Sequence, residues 1–392
     1  MFRTIQHNWK DGVKETLSFR TEITESSDGS EQRIALLREP RRKLSYTTEM
    51  NAQESWALHK SFTTSFGSLQ KFQDVTQIAG WVEYGKAGEA FIYTDRKLSL
   101  EAGEYVIVDY YGAIAVEITG TFSPTAFSKA FNMGFGFGYN ISNLEDDLRR
   151  NIEVPAVIYP VVQGYLDFNL EMQFLTDDVS VMKIDFMQKP GTVGYWDVAP
   201  ESTLLLKPNW SNGINHSVIT PFDEVDYEFG ILRRYQKITA PVSIRNYSFA
   251  LDNSQDIHRL RDLFLGCKGR QKTFIMPSWT RDIRLTNSLV SGNSQIKGYV
   301  SGAIYPKAVM IYMKNGESIY RDVVQPATIP PVSDDAPMTL TLTSPLNLSA
   351  PLDDVDFVSV ANKVRFSSDE LLINWITSNV ATVQINVQTV RE

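Results

Sequence analysis

The chain has 392 residues, and 46 acidic against 38 basic side chains give a formal charge of −8, which offers no bulk attraction to a polyanion. Hydrophobic residues at 43% and aromatics at 11% can fill ordinary cores in two or three domains, so the chain is neither disordered nor collagenous. Its single cysteine, Cys267, cannot form an intrachain disulfide, no Cys/His spacing matches a zinc site, and no stretch approaches the 18 apolar residues of a membrane span.

In chain order, residues 1–25 carry no apolar leader, because Lys10, Asp11, Lys14, Glu15 and Arg20 interrupt it, and the expectation is no signal peptide and no membrane anchor. Arg33, Arg38, Arg41, Arg42 and Lys43, interrupted by Glu31 and Glu39, form a mixed-charge ribbon. It suits either the carboxylates of a neighbouring subunit or a solvated hairpin surface, where ion pairs contribute only about 0–1 kcal/mol. Asn51 with Glu54 three residues on predicts a capped helix whose apolar side chains are Trp56, Phe62 and Phe66. Tyr105–Tyr110 and Ile114–Ile118 read as two strands joined around Tyr111-Gly112. The segment Met133–Asn140 has a Gly-x-Gly-x-Gly spacing without the strand-then-helix frame of a phosphate loop. It reads instead as a glycine-hinged loop presenting Phe135, Phe137 and Tyr139, to a neighbouring subunit or folded back on its own core. Val179, Val181 and Ile184 mark a half-buried closing strand.

The second half follows the same plan. Asp252 or Asn253 can cap a helix with a stripe of Ile257, Leu260, Leu263 and Phe264, ended by Gly266. A strand then runs through Phe274 into the corner Pro277-Ser278-Trp279. Ala308–Met313 and Ser318–Tyr320 flank a turn containing Asn315-Gly316, and Val380, Val383, Ile385 and Val387 mark a closing strand.

Laid over itself, the chain matches at an offset of 201 residues. Asn8-Trp9 and Gly12-Val13 fall on Asn209-Trp210 and Gly213-Ile214, Tyr46 falls on Tyr247, and Phe174–Asp185 falls on Trp375–Asn386. A register held at both ends predicts a tandem duplication: a mainly β (α+β) protein of two homologous β-rich units with one short helix each, at 1–195 and 209–392, joined by a linker at 196–208. A ring of n such chains presents 2n similar wedges, so three copies imitate sixfold symmetry and six imitate twelvefold.

Three stretches carry a resemblance: Trp9-x-x-Gly12-Val13 with Ser27–Arg33 and Glu39–Arg42; Gly269-Arg270 with Phe274 and Pro277–Trp279; and Val364–Trp375. The chain resembles structural tail proteins of tailed bacteriophages, of the minor-tail, distal-tail and tail-tip kinds. The resemblance implies a virion protein made in the host cytoplasm, built into a ring or connector with itself, as a trimer or hexamer, and with other tail proteins. It implies no enzyme activity, no cofactor and no sequence-specific nucleic-acid binding, with packaged DNA passing through the lumen.

The residues themselves add little chemistry. His7, His59, His216 and His258 are scattered outside any metal-ligand spacing, and His59 and His258 fall at similar places in the two predicted helices. Cys267 with His258 as base is weaker than a small buried residue at a helix end. The acidic runs Glu145–Asp147, Asp177-Asp178, Asp334-Asp335 and Asp353-Asp354 with Asp356 lack an EF-hand frame, and Asp177-Asp178 falls on Ser378-Asn379, as a turn would. The candidate contact residues are therefore Arg33, Arg38, Arg41, Arg42, Phe135, Phe137 and Tyr139, with no catalytic, cofactor or metal residue. The alternative function is a host-surface protein stacking exposed Trp and Tyr on glycans, and a third class is a hydrolase using one of the carboxylate clusters.

Overall fold

The computed structural model describes residues 2–3, 9–26, 30–64, 68–86, 91–95, 103–109, 112–122, 137–143, 151–166, 171–190, 203–220, 222–226, 228, 230, 232–236, 242–301, 305–328 and 336–390. The fold is mainly β, as the alternating patterns predict. The first half contains β1 (Phe2–Arg3), β2 (Val13–Ser18), β3 (Thr21–Glu25), β4 (Glu31–Ala35), β5 (Arg41–Asn51), α1 (Ala52–Thr64), β6 (Gln70–Gln73), β7 (Gly80–Gly85), β8 (Phe91–Thr94), β9 (Gly103–Asp109), β10 (Gly112–Phe122), β11 (Phe137–Asn143), β12 (Ala156–Leu166), β13 (Glu171–Phe174) and β14 (Val179–Gln188). The second contains β15 (Asn215–Ile219), β16 (Phe222–Asp226), β17 (Leu232–Gln236), β18 (Val242–Leu251), α2 (Ser254–Cys267), β19 (Phe274–Pro277), β20 (Ile283–Leu285), β21 (Gln295–Val300), β22 (Ala308–Met313), β23 (Ser318–Asp322), β24 (Met338–Thr341), β25 (Val355–Phe366), β26 (Glu370–Thr377) and β27 (Val380–Thr389).

The two halves repeat each other strand by strand. Tyr46 pairs with Ile184 across β5 and β14, and Tyr247 pairs with Ile385 across β18 and β27. Lys14 pairs with Ser45 and Asn215 with Asn246; Thr21 with Ala35 and Phe222 with Gln236. Each of these residues lies 201 positions from its counterpart, so register as well as order recurs. Because a one-residue slip would turn every side chain to the opposite face, equal register means equal inward-facing sets.

Eight antiparallel strands form the main sheet in the order β13-β14-β5-β2-β26-β27-β18-β15. Four come from each half, and the halves join where β2 pairs with β26. Along these strands one residue in two points inward: Leu44, Tyr46 and Thr48 on β5, Met182, Ile184 and Phe186 on β14, Ile373 and Trp375 on β26, Val383 and Ile385 on β27. The helices cover that face. Glu54 and Asn51 cap α1 reciprocally, with Glu54 N donating to Asn51 Oδ1 at 2.8 Å. Asn253 caps α2, which ends one residue past the predicted Gly266 with Lys268 in the left-handed region. The α2 stripe of Ile257, Leu260, Leu263 and Phe264 is buried as predicted. In α1, by contrast, Trp56 points outward and Leu58 inward, while the Phe62 side chain and Phe66 lie outside the described residues.

Each half also carries an insertion that closes on itself. The pairings β12-β7-β8-β11-β10-β9-β12 complete a six-stranded barrel around Tyr105, Ile107, Tyr139 and Ile158. The pairings β25-β20-β21-β24, a Val323–Leu342 bridge to the β23 end, and β23-β22-β25 complete a second around Ile296, Val309, Ile311 and Leu340. The predicted hairpins at 105–118 and 308–320 are the β9–β10 and β22–β23 pairs.

The predicted boundary at 196–208 does not divide two cores. Val13, Leu17 and Met182 share one apolar cluster with Phe264, Ile373 and Trp375. Leu204, inside the predicted linker, is buried against the second half, its N–H donating to the Ile275 carbonyl. No helix among the described residues is long and apolar enough to cross a membrane.

Gly12 and Gly213 occupy equivalent turns with φ of +69° and +67°. A Cβ on Gly12 would lie 2.6 Å from the Trp375 carbonyl oxygen, whereas one on Gly213 meets nothing within 4 Å. Alanine at either position costs the strain of positive φ, on the order of 1–3 kcal/mol, and only Gly12→Ala adds a backbone collision. Thermal unfolding of the dilute chain should therefore be lowered more by Gly12→Ala than by Gly213→Ala.

Candidate assembly interface

The joint between the halves holds a buried polar network. Strand β2 alternates Val13, Glu15 and Leu17 inward, so Glu15 is carried into the core by the same period that buries its apolar neighbours. Arg42 reaches it from β5, donating from Nε to Glu15 Oε1 at 2.6 Å. The rest of that guanidinium is held by Asp74, by Thr76 at 2.7 Å and by Gln188 at 3.1 Å. From the second half, Trp375 Nε1 donates to Glu15 Oε2 at 3.0 Å and Arg261 Nη2 lies 3.4 Å from Oε1. Two carboxylates and two guanidiniums make the set neutral, and all four are buried.

Burial alone would push the Glu15 carboxyl upward, but Arg261 and Arg42 outweigh it and hold its pKa below the ordinary 4.5. Asp74 is likewise pushed up by burial and drawn below its ordinary 3.8, chiefly by Arg42. An outer clamp reinforces the joint. Thr21 donates to Asp369 from N at 2.7 Å and from Oγ1 at 2.8 Å, Arg270 donates to the Thr21 carbonyl at 2.9 Å, and Arg365 grips both oxygens of Glu31 at 2.8 Å. The hairpin β3–β4 of the first half is thereby strapped to the second half.

The predicted contact residues are dispersed by this arrangement. Arg42 is not a surface charge: it stands in phase with Leu44 and Tyr46 and belongs to the buried network. Arg33 lies 3.7 Å from Glu31, inside the chain's own clamp, while Arg38 and Arg41 are exposed. Tyr139 is not on a presented loop either, being fully buried in the first barrel, where β11 carries it inward beside Ile141. Phe137 is exposed at the start of β11, and Phe135 lies outside the described residues. Cys267 is buried at the end of α2, and burial pushes its thiol up to about 12, far from a nucleophile's range. Burial first, then Arg261, holds the pKa of His258 below 6.5, and its ring lies 6.5 Å from Trp375. Asp177-Asp178 forms the predicted turn. Among the described residues, no group of three or more His, Cys, Asp or Glu side chains is placed to hold a metal ion.

What sequence reading missed lies at the two ends of the main sheet. Among the described strands β15 pairs only with β18, and β13 only with β14. All five residues of β15 and the described faces of the β16–β17 hairpin are exposed, including Val218, Phe222, Val225, Leu232 and Tyr235. At the other end the Phe174 and Trp56 rings lie 5.9 Å apart and tilted to each other, both about half exposed. These are large apolar side chains on unprotected edges, which monomeric β-proteins usually block. The open face of the sheet, away from the helices, carries a groove of about 610 Å³ lined by Thr16, Ser248, Asn374, Thr382, Gln384 and Asn386, with Glu370 as the one ionisable side chain on its wall.

The chain matches no protein-family model, and no curated protein matches it as a relative.

Replacing Glu15 by Gln leaves two buried guanidiniums against one carboxylate and should cost about 3–5 kcal/mol in denaturant unfolding. Because Glu15 and Asp74 are depressed on folding, their contribution is complete above their ordinary values of 4.5 and 3.8 and is lost as pH falls through the lower folded values. The wild-type chain should therefore lose stability steeply below about pH 4, and Glu15→Gln should flatten that acid limb.

Proposed function

We propose that the protein is a structural component of a bacteriophage tail, a ring or connector assembled from copies of itself and held in the virion by other tail proteins. The observation that carries this reading is the contrast between the two hairpin regions: β2 is covered by the second half and β3–β4 is tied to it through Thr21 and Glu31, with Ile34 and Leu36 left about half exposed, while the counterpart β15 with β16 is exposed at every residue. Fully covering a Phe or Leu side chain is worth roughly 1.5–3 kcal/mol, so several such residues on one edge favour association. The quoted likeness to tail proteins in the Trp9–Gly12, Gly269–Trp279 and Val364–Trp375 stretches supplies the setting. Gene duplication explains the common register of the halves.

In a ring closed through the sheet, the helix-covered face turns outward and the groove face inward. That inward face mixes polar groups, Thr16, Ser45, Thr47, Asn374, Thr382 and Gln384, with charges of both signs, among them Lys14, Arg41, Lys43, Lys183, Asp185 and Glu370, and Lys43 and Lys183 lie 3.5 and 4.0 Å from Asp185. The role needs no cofactor and no catalytic residue.

Sedimentation of the purified chain should show a discrete oligomer that dissociates on dilution, and purified particles should contain it at a small multiple of three. Phe222→Ser with Tyr235→Ser should weaken association at least tenfold while leaving circular dichroism melting of the dilute chain unchanged. A wild-type monomer at all concentrations, or one that binds host envelope without associating, would favour the glycan-binding alternative.

A further inference from the structure

We infer that β15 of one copy pairs antiparallel with β13 of the next, in the register that β2 and β26 use inside the chain. This deepens, and rests on, the reading of the protein as a self-assembling ring component. The internal joint supplies the template. Its pairs are Val13 with Trp375, Lys14 with Asn374, Glu15 with Ile373 and Thr16 with Leu372. Moving each partner by 201 residues gives Ile214 with Phe174, Asn215 with Gln173, His216 with Met172, and Ser217 with Glu171. Apart from Ile214, which directly precedes β15, those residues occupy the two terminal strands of the eight-stranded sheet, one at each end.

Side-chain exposure follows the same correspondence. Trp375 and Ile257 are 1% and 0% exposed at the internal joint, and their counterparts Phe174 and Trp56 are 47% and 56% exposed at the open end. Leu17 is fully buried, and its counterpart Val218 is 59% exposed. The space that the Trp375 carbonyl fills above Gly12 is empty above Gly213, where the Phe174 carbonyl of a second copy would lie. A surface whose residues occupy a buried joint's positions, and which stands uncovered at both ends of the chain, fits a second copy of that chain.

The chemistry differs between the two joints in a consistent direction. Inside the chain Glu15 meets Arg42, whereas the counterparts His216 and Ser243 form one short neutral hydrogen bond of 2.6 Å. Inside the chain Glu31 is bound by Arg365. By strand register Arg365 opposite Gln388 corresponds to Tyr165 opposite Met187, so the equivalent contact is Leu232 with Tyr165, both exposed. A joint made after folding, between separate molecules, thus replaces buried ions by neutral and apolar groups, which lose less on leaving water. The contact is head to tail, and where its rotation closes, n copies make a ring of 8n strands with no edge.

Cysteine pairing tests the register on the whole chain. Cys267 is a buried spectator, and residues 215 and 173 lie roughly 30 Å apart across seven strand spacings of one copy. Asn215→Cys mixed with Gln173→Cys should form a covalent dimer on oxidation with diamide, as should Ser217→Cys with Glu171→Cys; neither partner alone should do so, and the misregistered mixture of Asn215→Cys with Glu171→Cys should lag far behind. The chain carrying both Asn215→Cys and Gln173→Cys should give a ladder ending at one closed species. Independently, Leu232→Glu should abolish association and Tyr165→Arg in the same chain should restore it. An oligomer that forms without these cross-links, or that the charge pair leaves unchanged, overturns the register while the ring reading stands. A chain that stays monomeric in every arm overturns both.

Discussion

A strand in a sheet has two edges, and the structure depends on how the second edge of β2 is satisfied. β5 takes one side and β26, from the other end of the chain, takes the other. That single pairing makes two four-stranded units one sheet, brings Trp375 onto Glu15 and lets the two halves share an apolar cluster. Among the described strands the ends of the same sheet lack the equivalent pairing, and open strand edges are where β-proteins associate. In the proposed assembly, stability within the chain and association between chains are two uses of one contact.

The buried network explains why the internal use is permanent. Four ionised groups that balance one another inside the core are expensive to expose singly, so the joint opens only with the fold itself. The proposed external counterpart, with His216, Ser243, Leu232 and Tyr165, carries no such obligation and would form and release among folded molecules.

Much of this was legible in the sequence where the signal is local. The period-two strands, the Asn51–Glu54 and Asn253 caps, and the Asn315-Gly316 turn all formed because their causes lie within a few residues. The 201-residue offset carried the register of the repeat, because strand pairing repeats when inward-facing residues repeat. Long-range partners were not legible: Glu15 and Trp375 stand 360 residues apart, and nothing near either names the other. Arg42 and Tyr139 were misplaced because charge and glycine spacing were given more weight than phase. Arg42 alternates with Leu44 and Tyr46, and Tyr139 with Ile141, and that phase points both inward. The exposed β15 and β16–β17 edge carries no local sign of exposure at all, since its pattern is that of an ordinary hairpin; only comparison with the covered copy reveals it.

The central claim is that the joint inside the chain is repeated between chains. A cryo-electron microscopy reconstruction of the assembled protein, computed without imposed symmetry, tests this most directly. The account predicts first and second halves alternating at equal angular steps around one continuous inner barrel, with β15 and β13 of adjacent copies hydrogen-bonded. Copies meeting through like edges about a twofold axis, or sheets separated by a gap, would contradict it.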